Sequence, residues 1–294
     1  MANSEFLLAR PRRCILTLGM KRVFTALVLI PLVLALMLLG PLWLVSAVTA
    51  AVAMLAGWEF LGLARKVGDK PPRIAVLVAI LALFAGTYEY PYQAMAVFGL
   101  LALGLLIFCT FSLPVDQVLP EASVSVFTLV YAGLTLSAVP ALRAESNGPS
   151  LVIFLLCVIW AGDTAALYVG RAWGRRKMAP MLSPNKTWEG ALGSVAGSLL
   201  IAGILLGLAA LLERWNSTKL YYGDDAWWYW LLLAVVVNVA AQLGDLAESA
   251  LKRSAGVKDS GTLLPGHGGI LDRIDALLLA APVMWYVQLI HQRF

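Results

Sequence analysis

The chain is predicted to be all-α, a polytopic membrane bundle of about nine transmembrane helices, and three observations predict it. Hydrophobic residues fill 61% of its 294 positions and charged residues only 13%, about half the charge of an ordinary soluble domain. The apolar residues fall in runs near the roughly 20 that carry a helix across a bilayer. These runs lack the period-two alternation of barrel strands, so their backbone polar groups must be satisfied within helices.

In order, the candidate spans are Val23 to Leu39, Leu42 to Leu63, Ile74 to Tyr88, Ala94 to Phe111, Ala122 to Leu142, Leu151 to Gly170, Ala191 to Leu212, Ala226 to Leu251 and Ile270 to Leu289. Turn-forming residues separate them: Gly40-Pro41, Pro71-Pro72, Pro91, Pro114, Gly148-Pro149 and Pro265-Gly266. The third run is the shortest. The chain is expected to divide into a cytoplasmic leader over 1–22, amino-terminal helices over 23–150 and a carboxyl-terminal helical region over 151–294, all one membrane-embedded unit.

Charge orients the bundle. With the amino terminus in the cytoplasm, nine spans leave only Arg143, Arg214, Lys219 and Arg293, of 22 Lys and Arg residues, on the far side. The opposite orientation would invert that bias, against the positive-inside rule. The net charge of +5 therefore reads as topology, and with no basic patch interleaved with aromatics it does not imply nucleic acid. Cys14, Cys109 and Cys157 are too scattered for a zinc or redox motif and read as buried apolar residues, and His267 and His291 are too few for a histidine metal cluster. A cleaved signal peptide is not expected, since the apolar segment runs on past Pro31 without a convincing small-residue cleavage site; residues 1–19 precede a second methionine, Met20, and are expected to be dispensable.

Along the eighth span, Asn238, Gln242, Asp245, Ser249 and Lys252 recur at spacings of three and four and form one polar stripe. Asn238 and Gln242 suit an interhelical hydrogen-bond seam. Asp245 is different, because an intramembrane carboxylate costs a few kcal/mol or more and marks a site or a water-filled cavity.

Beyond the stripe lies the densest chemistry in the chain: Lys252, Arg253, Lys258, Asp259, His267, Asp272, Arg273 and Asp275, interleaved with glycines. Gly266-His267-Gly268-Gly269 allows close backbone approach to a ligand, and the following helix start offers free N–H groups to an anion. Asp272 and Asp275 share one face of that first turn; favourable interaction with the helix dipole is one reading, and for Asp272 metal ligation alongside Asp245 is preferred. Upstream, Asp163 lies within the sixth span, and the next loop carries Arg171, Arg175, Arg176 and Lys177, which also read as topology determinants. Ser183, Lys186 and Thr187 then combine two hydroxyls and a lysine at a helix start, a pattern suited to phosphate.

The run from Ser249 to Asp275, with Ser183-Pro-Asn-Lys-Thr-Trp-Glu-Gly190 and Gln242-Leu-Gly-Asp245, resembles the signature of the phosphatidate cytidylyltransferases, or CDP-diacylglycerol synthases. The likeness is strongest from Trp160 onward, and Asn185 stands where some members carry a second lysine. The resemblance implies a homodimeric enzyme of the bacterial inner membrane, its site facing the cytoplasm. Such enzymes convert CTP and phosphatidic acid to CDP-diacylglycerol and pyrophosphate with Mg²⁺. A second cation is left open.

On that reading Asp245 and Asp272 hold the metal. Lys252, Arg253, Lys258, Asp259, His267 and Arg273 join them as catalytic groups, with His267 either donating a hydrogen bond or shaping the glycine turn. Ser183, Lys186, Thr187, Arg171, Ser249, Gly268, Gly269, Asp163 and Asp275 bind substrate. Two rivals are weighed against it: a cation-coupled transporter, which intramembrane acids also suit, and a CTP-dependent polyprenol kinase.

Overall fold

A computed structural model describes residues 30–215, 220–223, 225–261 and 268–291; the leader over 1–22 and His267 lie outside the described residues. Each of the nine expected runs contains a helix. They are α1 (Ile30–Leu39), α2 (Leu42–Lys66), α3 (Arg73–Glu89), α4 (Ala94–Ser112), α5 (Val115–Ala144), α6 (Gly148–Trp173), α7 (Trp188–Arg214), α8 (Trp227–Ser254) and α9 (Leu271–His291). Seven of the described helices are long and apolar enough to cross a membrane; α3, with 17 residues, and the ten described residues of α1 are shorter.

Local departures follow from the residues. Pro120 and Pro140 lack an N–H to donate along α5, and between them Leu129–Leu134 widens into a π-helical turn. The loop between α6 and α7 contains a two-stranded antiparallel hairpin, β1 (Lys177–Ala179) and β2 (Ser183–Thr187), with Lys177 opposite Thr187 and Ala179 opposite Ser183. Pro184 disfavours a helix before Trp188. Glu189 then accepts the backbone N–H groups of Arg175 at 3.1 Å and of Arg176 at 3.2 Å, which ties the hairpin's entrance to α7.

Packing within the bilayer depends on close backbone approach more than on burial of apolar surface. Thus α6 lies along α7 where Gly193 and Gly197 leave room for Val169 and Ala165. One core, with Leu61, Ile80, Leu83 and Leu129, fills the space between α2, α3 and α5; another, with Phe154, Trp230, Leu233 and Met284, fills that between α6, α8 and α9. Helix α9 belongs to both, since Leu271 and Leu278 pack into the first and Ala280 and Met284 into the second. The two halves of the chain thus share a helix.

The bundle has two unlike ends. At one, Arg143 donates to the carbonyl oxygens of Met37 at 2.8 Å and Gly40 at 3.0 Å, satisfying acceptors left open where α1 ends. Trp43, Trp215, Trp227 and Trp228 are exposed at the helix ends on that side, as expected of an interfacial belt. At the other end the α2–α3, α6–α7 and α8–α9 connections gather, and with them the polar chemistry.

Candidate functional site

The stripe on α8 divides into two parts. Asn238, only 1% exposed, donates through Nδ2 to Ser194 Oγ and Ser198 Oγ, both at 2.8 Å, and accepts from Gln242 Nε2 at 2.6 Å. Gly162 makes this possible, because a Cβ there would sit 2.8 Å from Ser198 Oγ. The upper half is therefore a satisfied interhelical seam joining α6, α7 and α8.

One turn further, Gly244 lets α8 touch α9: a Cβ at this position would lie 2.5 Å from the carbonyl oxygen of Asp275. Two antiparallel helices in that register bring Asp245 opposite Asp275. Lys186, which follows the edge of β2 inward, pairs with Asp245, whose side chain remains 37% exposed. Asp163, from α6, lies within electrostatic reach of Asp245, Asp275 and Lys186, and its side chain is exposed. A carboxylate open to the outside about 15 Å from the end of a membrane helix requires water around it.

Closer to the bundle's end, Lys252 Nζ lies 2.6 Å from Asp272 Oδ1 and 2.5 Å from Glu248 Oε2. Asp272 also accepts from Gly269 N at 2.8 Å, Ser260 Oγ at 3.0 Å and Ser260 N at 3.0 Å. The bond from Gly269 is the return half of a capping box, an acid in the first turn reaching back to the helix start. Glu248 is fully buried, and apart from the contact with Lys252 neither of its oxygens has a hydrogen-bond partner among the described residues.

A second carboxylate secures α9 from the other half of the chain. Glu59 on α2, 4% exposed, accepts from Ile270 N at 3.1 Å and Leu271 N at 2.9 Å, and its Oε2 lies 3.1 Å from Ser260 Oγ, whose single proton it shares with Asp272. The glycines expected to admit a ligand make room here for the protein's own carboxylates. Gly269 and Gly261 face Glu59, while Gly268, at φ +81°, would drive a Cβ to 2.7 Å from Asp272 Oδ2.

The other expected residues disperse. Arg253 is exposed and ties α8 to the hairpin through Leu182 O at 3.3 Å, and it also donates to Val257 O at 3.0 Å. Lys258, Asp259, Arg171 and Arg273 are exposed, Ser249 is buried at 8%, and Ser183 pairs within the hairpin. Thr187 is occupied as the α7 N-cap, accepting from Gly190 N at 3.1 Å.

Two functional candidates escaped the sequence reading. Glu248 lies three residues after Asp245 and four before Lys252, a signal present in the helical spacing. Glu59 was a lone acid in an apolar span, which by itself marks a candidate.

The donor set suits a hard, oxygen-seeking cation. Five carboxyl groups, Asp163, Asp245, Glu248, Asp272 and Asp275, are electrostatically linked to two ammonium groups, Lys186 and Lys252. Among the described residues no three acids, histidines or cysteines form a ready-made cage, so a metal would need further ligands from substrate and water. Asp245 and Asp272 stand in separate lysine pairs, and a cation at Asp272 would compete with Lys252.

Fold and site together define an all-helical, multi-pass membrane protein whose acids and lysines are concentrated at one end of the bundle. The chain belongs to the Cytidylyltransferase family, whose model matches residues 20–291. It is 35% identical over 292 residues to the phosphatidate cytidylyltransferase of Haemophilus influenzae, covering 90% of this chain and 97% of that one. It is 32% identical over 242 residues to the phosphatidate cytidylyltransferase of Bacillus subtilis, covering 81% and 86%. Identity reaches 43% over 162 residues with the phosphatidate cytidylyltransferase of Brucella suis, where the match spans about half of each chain, 53% and 54%.

Proposed function

We propose that the protein joins CTP and phosphatidic acid to form CDP-diacylglycerol and pyrophosphate. The observation that carries this reading is Lys186 paired with half-open Asp245, with exposed Asp163 in electrostatic reach, more than two turns inside the ends of membrane helices; the proposed cleft lies around these three. A lipid phosphate can reach this point sideways while its chains remain in the bilayer. A cleft open sideways to lipid would separate this reading from one confined to water-soluble substrates.

The lipid phosphate is the nucleophile. Its second pKa near 6 leaves it ionised at neutral pH, so no side chain needs to remove a proton. A phosphate oxygen attacks the α-phosphorus of CTP, a new P–O bond forms, and the bond to the β-phosphate oxygen breaks in line, releasing pyrophosphate. Two polyanions must meet, so positioning and charge neutralisation supply most of the catalysis. Lys186 and Lys252 provide charge within the cleft, with Arg253, Lys258 and Arg273 at its rim. Asp245 and Asp272 are the proposed holders of Mg²⁺, which when bound would screen the triphosphate. In this reading Asp163 and Asp275 line the same space, and His267 acts from the loop before α9.

Nine spans with the amino terminus in the cytoplasm place the cleft on the side where CTP is made, in a bacterial-type inner membrane, and a homodimer completes the reading. The decisive experiment incubates the purified protein in lipid nanodiscs with CTP, phosphatidic acid and Mg²⁺, with and without a chelator. CDP-lipid with pyrophosphate, lost on chelation, is expected. Phosphorylated lipid with CDP would indicate a kinase instead, and no CTP-dependent product would overturn the proposal.

A further inference from the structure

We infer that Glu59, contributed by the amino-terminal half of the chain, is a positioning residue for the carboxyl-terminal site; this rests on the reaction proposed above. A buried carboxylate is costly unless charge or hydrogen bonds compensate it. No cation pairs with Glu59 among the described residues. Instead it accepts from Ile270 N and Leu271 N at the start of α9, and it shares with Asp272 the single hydroxyl proton of Ser260. Anions bind favourably at helix N-termini, where N–H groups lack intrahelical acceptors.

What Glu59 holds is the immediate surroundings of Asp272. Ser260, within 3.1 Å of Glu59 Oε2, also meets Asp272 Oδ2 at 3.0 Å, and Asp272 in turn meets Lys252 at 2.6 Å. Glu59 therefore sets the position of α9 and of Ser260 at once, and through them the Lys252–Asp272 pair. Gly261 and Gly269 leave no slack, since a Cβ at either would run into the Glu59 carboxylate. The contacts join residues more than 200 positions apart, which a local cap would not do.

In Glu59→Gln one carboxylate oxygen becomes an NH₂ group facing a backbone N–H, so either Ile270 or Leu271 loses its acceptor. A shift of the α9 start on the order of 1 Å corresponds to roughly 100-fold in rate. The test uses the full chain in nanodiscs with CTP and phosphatidic acid, alongside wild type. Glu59→Gln is expected to lower kcat about 100-fold, to change KM for either substrate little, and to raise the Mg²⁺ concentration giving half-maximal rate. Glu59→Asp, which keeps two acceptor oxygens on a shorter stem, is expected to recover part of the lost kcat. A residue needed only for stability would lower the melting temperature while leaving kcat per folded molecule and the Mg²⁺ response unchanged, and that outcome overturns the inference. If Glu59→Gln does not yield folded protein, Ser260→Ala decides. It removes one hydroxyl between Glu59 and Asp272, and an unchanged kcat and Mg²⁺ response overturn the inference, whereas a lower kcat with a raised Mg²⁺ requirement supports it. Absence of CDP-lipid formation by wild type would instead overturn the proposed reaction.

Discussion

Lys252 Nζ lies 2.6 Å from Asp272 Oδ1 and thereby joins the end of α8 to the beginning of α9. The same ammonium lies 2.5 Å from the fully buried Glu248, so one positive charge serves two carboxylates. On the proposed reading, Mg²⁺ at Asp272 would compete with Lys252 for the same oxygen.

Asp272→Asn tests this directly. The variant keeps the side chain's shape but replaces an acceptor oxygen with a donor among four donors. It is expected to remain inserted in the membrane while losing at least about 100-fold in Mg²⁺-dependent CDP-lipid formation, the range seen when a single electrostatic group is removed from a site. Near-normal turnover would exclude Asp272 as a metal ligand.

Lys186→Ala removes the cation paired with Asp245. Hydrogen bonds to charged groups contribute about 1.5–3 kcal/mol, so either a KM for one phosphate substrate should rise or kcat should fall by roughly 10- to 100-fold. Steady-state kinetics with each substrate varied in turn will show which. If neither parameter moves, the hairpin lysine has only a structural part.

Gly244→Ala and Gly203→Ala form a contrasting pair. At Gly244 the added methyl meets the Asp275 backbone at 2.5 Å, whereas nothing lies within 4 Å of one added at Gly203. Overpacking of this kind costs typically about 1–3 kcal/mol, and the displaced α9 should also lower kcat. The Gly203 variant should match wild type in rate and equal or exceed it in melting temperature, helix propensity favouring Ala by about 1 kcal/mol. Thermal denaturation in one detergent, paired with initial rates, compares the two.

Arg143→Ala separates stability from chemistry. Its two bonds, to Met37 O and Gly40 O, lie at the end of the bundle away from the acids. At about 0.5–1.5 kcal/mol each, their loss should lower stability by about 1–3 kcal/mol. KM for CTP and phosphatidic acid, measured below the transition, should not change.

Much of the site was legible because helical periodicity is local. The spacing of Asn238, Gln242, Asp245 and Lys252 placed them on one face before any fold was known, and the structure keeps them on one face. The same spacing does not say what stands opposite. Asn238 met two serines of α7 and became a seam, whereas Asp245 met Lys186 from the hairpin and stayed partly open. The expected convergence of Asp245 with Asp272 depends on the register of α8 against α9, and Gly244 sets that register so that Asp245 faces Asp275 and Lys252 reaches Asp272.

Composition, run length and turn residues were sufficient by themselves to determine an all-helical membrane protein and the segments that carry its chemistry, since burial in lipid leaves the backbone few alternatives. The partners of each charged group were decided only by tertiary structure. By sequence Glu59 is only a lone acid in the second span, and the structure sets the start of α9 against it; Gly268 and Gly269 have Asp272 and Glu59 as their neighbours. The physical reason is range: a helix face is set by neighbours three and four residues away, whereas the fate of a buried carboxylate is set by donors that here come from more than 200 residues along the chain.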